Sequence, residues 1–439
     1  MENFKIANMQ AETEEKTTSK PKRKYTRRTN SSKAKATAKA PKPKYEKIFA
    51  LDIGTRSVIG IVADKTPAGL KIIATERMEH KTRAMEDGQI HDVPQVASVI
   101  DTVKKALIKK VGPLKSAAVA AAGRALYTMT ASAEMEFNGI ITPEQERSLD
   151  FAGVQAAQAQ LATSGTVEDL ANYYCVGYST VKYELDGTKL KTLVGQRGRI
   201  ASATVIATFL PRQVIDSMHS ALQSVKLDMH ALTLEPIAAI NVLIPPTMRH
   251  LNLVLVDIGA GTSDVAITRN GSVIAYGMVP QAGDEITDAI SQQYLLDFNV
   301  AEQLKREATN GLQCHFADIM GMEYDLSATE VLKPVLPNIH KLAESIAQQI
   351  LELNGNEPPQ AVILVGGGSL TPHLSDYVAE IMNLPMGRVA VRHPDKIDGI
   401  VDIPEELRLP DAVTPLGILK IASLNTLHFL RVYVNDTEY

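Results

Sequence analysis

Tryptophan is absent from the 439 residues, and with 13 Tyr and 8 Phe the aromatic share is only 5%. So few rings offer no platform for stacking bases, which argues against nucleic acid as a partner. Cysteine is almost missing as well: Cys175 and Cys314 occur without CxxC or Cys/His spacing. That excludes a disulfide framework and the usual zinc sites, and it fits a reduced, cytoplasmic setting. His315 follows Cys314 directly, but no further ligands accompany it, so packing is the reading for this pair. No apolar run approaches the roughly 18 residues of a membrane span. The first residues also carry no apolar stretch of leader type, so the expectation is a protein neither exported nor inserted.

What is present is an ordinary globular balance, 45% apolar and 22% charged, in a chain long enough for about two to four packed units. The net charge of −4 hides an asymmetry: residues 1–44 carry 13 basic against 4 acidic side chains, leaving a net −13 for the rest. This first stretch is rich in Lys, Thr, Ser, Ala and Pro with little to bury, and is expected to be a disordered basic tail. Its densest run, Lys20 to Arg28, could hold acidic lipid headgroups, nucleic acid or an acidic partner by charge alone, or be a solvated tail without a ligand.

From Tyr45 the pattern changes to short β-type runs alternating with helical spacing. Strands are expected at 47–53, 57–63 and 70–75, separated only by turns, which is a three-stranded meander. Apolar residues at Val96, Val99, Ile100, Val103, Leu107 and Ile108 define one face of a helix over 93–110. A strand at 117–121 follows, and then a helix over 144–163 opened by Thr142-Pro143. Strands at 173–185 and 200–210 and a helix over 212–225 complete the first half. The second half repeats the plan: strands at 251–257, 264–268 and 272–278, helices over 284–296 and 300–307, and a long helix over 328–353. A strand at 360–365, a helix over 371–382 and a further helix near 411 end the series. Duplicated units of meander plus helices describe an α/β fold with two lobes and a cleft where a ligand would bind.

Three motifs carry chemistry. In Leu51-Asp52-Ile53-Gly54-Thr55-Arg56-Ser57, Gly54 permits a tight turn whose backbone N–H groups, with the Thr55 and Ser57 hydroxyls, can face a phosphate, while Asp52 can hold Mg²⁺ through water; alone, a strand ending in Asp-x-Gly is often just a turn. The same device recurs in Asp257-Ile258-Gly259-Ala260-Gly261-Thr262-Ser263-Asp264, its leading Asp 205 positions later. A bare glycine hairpin would not account for that recurrence. The third motif is the run Val365-Gly366-Gly367-Gly368-Ser369 between a strand and a helix. There missing Cβ atoms admit a flat base or ribose, and the helix N-terminus adds a favourable dipole.

In this order the motifs resemble the phosphate 1, phosphate 2 and adenosine motifs of the actin, DnaK-type chaperone and sugar kinase superfamily. Leu234-Glu235-Pro236 and Asp411 to Gly417 resemble its two connecting helices. Gly88-Gln89-Ile90-His91-Asp92, the stretch 199–243 and Gly283 to Asp288 resemble segments of the FtsA family. That resemblance implies a two-lobed actin-like ATPase fold with duplicated ribonuclease H-like domains and an inserted FtsA-type subdomain. The expected boundaries are the tail 1–44, the first lobe at 45–84 and 195–248, the insertion at 85–194, and the second lobe at 249–439. It also implies binding of ATP and Mg²⁺ at the motif residues, with Asp52 and Asp257 on the metal. Glu235 would position an attacking water, so that the protein is at most a slow ATPase. Implied partners are an FtsZ-like tubulin homologue or other division proteins, together with self-association. Where the family usually has Lys in phosphate 1, this chain has Ser57, preceded by Arg56. Residues 427–436 alternate like a strand, whereas the family ends in an amphipathic membrane helix. Either the chain is a piece of a longer one, or attachment is absent, or it is moved to the basic tail on an anionic membrane surface. Rival readings are a PilM-like pilus platform, a DnaK-type chaperone, which would need a peptide-binding domain after Gly417, and a sugar kinase, for which no substrate aspartate is evident.

Overall fold

The computed structural model describes residues 45–86, 88–122, 126–164 and 172–424. The basic tail and the alternating segment 427–436 lie outside the described residues. In chain order the elements begin with β1 (Glu46–Ile53), β2 (Ser57–Thr66), β3 (Gly69–Glu79), a small hairpin β4 (Met85–Glu86) and β5 (Gln89–Ile90), α1 (Val93–Val111) and β6 (Ser116–Ala121). Next come β7 (Tyr127–Glu136), α2 (Pro143–Thr163), β8 (Tyr173–Leu185), β9 (Thr188–Leu190), β10 (Ile200–Pro211), α3 (Arg212–Ser224), β11 (Asp228–Leu234) and α4 (Glu235–Leu243). The second half holds β12 (Leu253–Ile258), β13 (Ser263–Arg269), β14 (Ser272–Val279), α5 (Gly283–Tyr294), α6 (Phe298–Thr309), β15 (Cys314–Ala317) and β16 (Glu323–Leu326). It ends with α7 (Ala328–Leu332), α8 (Leu336–Leu353), β17 (Ala361–Val365), α9 (Leu374–Ile381), β18 (Val389–Val391), β19 (Ile400–Val401) and α10 (Val413–Ser423).

The two main sheets share one plan. In the first the order is β11-β6-β1-β2-β3-β19, and in the second β18-β17-β12-β13-β14. Each has an antiparallel meander whose first strand pairs in parallel with a strand returning from a helix. Near-continuous burial along β12 and β13 marks strands covered on both faces, as expected of such sheets. Local signals fix the helix starts: Asp92 accepts from Gln95 N–H at the head of α1, and Thr142 with Gln145 forms a reciprocal capping box on α2. Between the sheets, α4 and α10 bury Ala238, Ala239, Leu416 and Leu419 against Ala50, Ile59, Leu255 and Ala266. Gly417 is required at their crossing, because a Cβ there would run into the Ala238 backbone.

A third, four-stranded sheet of order β7-β10-β8-β9 packs on α2 through Ala131, Ala157, Leu161, Ala207 and Phe209. Strand β8 also touches the second lobe, where the Ser272 hydroxyl at the start of β14 donates to the Thr180 carbonyl at 2.9 Å. The boundaries drawn from the sequence cut across these layers. Within 85–194, β6 pairs with β1 and β11 in the first sheet, and α1 buries Val96, Ile100, Val103 and Leu107 in the core on that sheet's outer face. Within 249–439, β19 pairs with β3 and α10 packs beneath β1. Sequence order and sheet membership differ because the chain crosses between layers several times. The helix expected over 328–353 is also two helices, parted by a 3₁₀ turn at Lys333–Val335, since Pro334 and Pro337 cannot both continue one hydrogen-bond ladder.

Candidate functional site

The two meanders turn at equivalent places. Gly54 N–H donates to the Ser57 carbonyl at 3.1 Å, and Gly259 N–H to the Thr262 carbonyl at 2.9 Å. A Cβ on either glycine would lie 3.3 Å from that carbonyl, so both turns favour glycine for the same steric reason. Asp52 and Asp257 sit just before these turns, paired across the ladder with Ile59 and Asp264. Both face one cavity of about 410 Å³ between the lobes, together with Gly54, Thr55, Arg56, Ser57, Gly259, Thr262, Gly366, Gly367, Gly368 and Glu235.

The third motif closes the cavity from the second lobe. Gly366 has φ +80°, and a Cβ there would meet the Ile258 carbonyl and the Asp257 carboxylate. A Cβ on Gly368 would stand 2.8 Å from the Gly259 carbonyl, so the glycines allow this turn to lie flat on the second hairpin. The helix dipole expected directly after the turn is displaced. Gly367–Leu370 forms a 3₁₀ turn, and α9 starts only at Leu374, behind a left-handed His373.

Not every hydroxyl expected at the site reaches it. Ser263 is fully buried and donates to the Gln281 carbonyl at 2.8 Å. Ser369 donates to the Gly366 carbonyl at 2.7 Å and so braces the glycine turn from beneath. Gly261 is buried beside the cavity and does not line it. Strand alternation explains Ser263: its neighbour Thr262 takes the cavity side, so the next residue points into the sheet.

Arg56 lines the cavity, but its guanidinium is bonded away from it. Its Nη2 lies 2.9 Å from Asp284 Oδ1 and 3.7 Å from Glu302 Oε2, both in the other lobe. Its guanidinium also sits over the Phe298 ring, 4.9 Å from the centroid. The preceding turn is held by a residue the sequence did not single out. His80 N–H donates to the Arg56 carbonyl at 3.0 Å, and His80 Nε2 lies 3.1 Å from the Gly54 carbonyl. Burial lowers the His80 pKa, opposed by the Gly54 carbonyl and reinforced by the Arg56 charge, which favours a neutral ring with the proton on Nε2.

Buried carboxylates crowd the cavity. Burial, followed by the neighbouring Asp257, raises Asp52 to about 7, with Arg77 opposing and Asp411 adding. Burial raises Asp257 to about 6, against the hydrogen bond from Thr414 and with the help of Asp411. Glu235, at the first turn of α4, is pushed well above the usual range by burial and then by Asp264, Asp52 and Asp257. Hard oxygen donors that resist ionisation together are the donor set a divalent cation relieves. Among the described residues no three such side chains are placed to ligate one ion directly, so an ion held by Asp52 and Asp257 would keep much of its water, as Mg²⁺ does.

Sequence reading also missed the wall supplied by α6. Glu302, Lys305, Arg306 and Thr309 line the cavity, and their i, i+3, i+4, i+7 spacing is the only signal that could have found them. Lys305 Nζ donates to the Gly283 carbonyl at 2.8 Å and to Thr287 Oγ1 at 2.7 Å, and pairs with Glu302 at 2.8 Å. Although burial opposes it, Lys305, Thr287 and Arg56 hold the Glu302 carboxyl down at about 2.

Residues 254–417 match the family described as "Cell division protein FtsA". Relatives of that description include one from Pseudomonas aeruginosa, 23% identical over 85% of this chain and 88% of its own length. Another, from Bacillus subtilis, is 20% identical over 87% and 84%. Among solved structures, a chain of the "PilM-PilN type IV pilus biogenesis complex" superposes with a TM-score of 0.62 at 14% identity, over 85% of this chain and 98% of that one. At that identity the likeness establishes the fold alone, a two-lobed actin-like one.

Proposed function

We propose that this chain, an FtsA-like bacterial actin homologue, binds ATP with Mg²⁺ in the cleft and works in cell division as a nucleotide-regulated scaffold. The observation that carries the reading is the meeting of two Asp-Gly hairpins and one glycine turn on a single cavity rich in carboxylates. The two turns offer backbone N–H groups and the Thr55 and Ser57 hydroxyls to phosphate oxygens, while Thr262, its hydroxyl bonded to Asp264, lines the wall beside them. The Gly366–Gly368 turn and the polar face of α6 are left for the base and ribose. A bound Mg²⁺ would supply charge neutralisation between phosphate oxygens and the Asp52 and Asp257 carboxylates. Burial, and then the neighbouring carboxylates, raise the Glu235 pKa well above its ordinary value and disfavour its ionised, proton-accepting form until that charge is compensated, so turnover is expected to be slow.

Closure of the lobes on nucleotide would favour self-association and binding of an FtsZ-type partner. The third sheet is the natural partner surface, because none of the described residues between 127 and 211 lines the cavity. The basic run Lys20 to Arg28 is assigned to the anionic inner face of the membrane. The PilM-like pilus reading rests on the shared fold, whereas the sequence relatives are named as division proteins.

The test is titration of a labelled ATP analogue into the parent and Asp257→Ala, with and without Mg²⁺, alongside thermal melts and pelleting with FtsZ filaments. Loss of a charged partner is worth on the order of 1–3 kcal/mol, or roughly 5-fold to 150-fold in affinity. Equal Mg²⁺-dependent affinities with an intact melt would sink the nucleotide reading. Failure to pellet with FtsZ filaments in every nucleotide state would remove the partner assignment.

A further inference from the structure

Among the described residues, three arginines make charge pairs between the first lobe and α5 or α6 at the mouth of the cleft, and a fourth, Arg77, bonds Asp411 at 2.6 Å in the cavity wall. The first lobe contributes Arg56 from the β1–β2 turn, Glu79 from the end of β3 and Arg83 from the segment after it. The second contributes Asp284 and Asp288 on α5 and Phe298, Glu302 and Arg306 on α6. The contacts are graded. Arg306 meets Glu79 at 2.7 Å, but both side chains are nearly half exposed, and such pairs contribute little. Arg83 and Asp288 stand 3.9 Å apart at the surface. Arg56 is different: it is largely buried, bonds to Asp284 at 2.9 Å and has Glu302 at 3.7 Å. Arg56 and Arg83 both lie over the Phe298 ring, at 4.9 and 4.6 Å. A partly buried guanidinium with a bonded carboxylate and an aromatic face makes a strong local contact.

We infer that Arg56, seated on Asp284, Glu302 and Phe298, is a latch that holds the two lobes together before any ligand arrives, and so gates entry to and exit from the cleft. Resting on the nucleotide reading for its second half, the inference gives the phosphate 1 turn a job that turn chemistry alone does not need. The Arg56 Nη2 atom is bonded to the opposite lobe, and its Nε is buried without a hydrogen-bond partner among the described residues. Arg56 thus acts as a positioning residue: it fixes how far the first turn stands from α5 and α6. Opening the cleft must break the pair with Asp284 and leave Glu302 to the partners of its own lobe, Lys305, Arg306 and Thr287.

The experiment separates the latch from the nucleotide. Spin labels at Lys109→Cys on α1 and Glu380→Cys on α9, both exposed sites, report lobe separation in the nucleotide-free chain; the native cysteines are buried. The latch predicts a narrow distance distribution in the parent and a longer, broader one in Arg56→Gln. Asp284→Asn removes the same contact from the other lobe and serves should Arg56→Gln not fold. With a labelled ATP analogue, both association and dissociation should quicken about tenfold while Kd stays within about threefold. An unchanged distance distribution overturns the latch. So does a large loss of affinity at unchanged separation, which would make Arg56 a phosphate ligand. A broadened distribution in a protein that binds no nucleotide would leave the latch standing and overturn the nucleotide reading instead.

Discussion

The two Asp-Gly hairpins share a turn, a register and a steric demand for glycine, yet they face different surroundings. In the first hairpin the side chain after the turn glycine's neighbour, Arg56, reaches out of its own lobe. In the second, Asp257 accepts from Thr414, the Thr262 hydroxyl donates to Asp264 at 3.1 Å, and the Gly366–Gly368 turn lies against the backbone. The first hairpin is braced from across the cleft as well as by His80 of its own lobe, the second only from its own lobe and α10 among the contacts described. Duplication therefore fixed the backbone device, while the neighbours decide whether each copy is rigid or movable.

The sharpest way to break the comparison is Gly366→Ala. It adds a Cβ against Ile258 and Asp257 at φ +80°, and should cost on the order of 3 kcal/mol. Gly54→Ala meets only a 3.3 Å contact and should cost about 1 kcal/mol. Thermal melts of the two variants decide it: similar losses would mean that the second hairpin has no extra bracing. A smaller effect lies in pH. Asp52 moves from 3.8 to about 7 and Asp257 from 3.8 to about 6. The stability each lends in its protonated form is whole below about pH 4 and is lost as pH rises through about 7 and about 6 respectively. Without Mg²⁺ at pH 7.5, Asp52→Asn should then stabilise the chain by on the order of 1–2 kcal/mol, and Asp257→Asn by less, because it also disturbs the bond from Thr414. Denaturant melts across pH 5–8 would show equal gains for the two variants if the two carboxylates were equivalent. The smallest effect belongs to Ser263→Ala, which loses the bond to Gln281. It should lower stability by about 1 kcal/mol and leave nucleotide affinity untouched, in contrast to Thr262→Ala on the cavity side.

Much of this was legible in the chain because the signals are local. The meanders, the capped starts of α1 and α2 and the three glycine turns each depend on residues within a few positions of one another. The miss at β7 has a physical cause: Tyr127–Glu136 alternates Thr, Ala and Ser with few large apolar groups, so its strand character comes from pairing along its whole length with β10. The destination of Arg56 was out of reach for a related reason. A side chain that pairs 228 residues away leaves no trace in the spacing of its neighbours. The polar face of α6 was present as a periodic pattern, but only the cavity beside it shows that this face is not simply the solvated one.

The bond from Ser272 to the Thr180 carbonyl ties the third sheet to the second lobe, while β10 runs directly into α3 of the first. A sheet anchored to both lobes is coupled to the angle between them, and a binder that prefers one angle acts on both attachments. Thermodynamic reciprocity then allows no one-way signal. By whatever factor a ligand in the cleft alters the affinity of a partner on the third sheet, that partner must alter the ligand's affinity by the same factor.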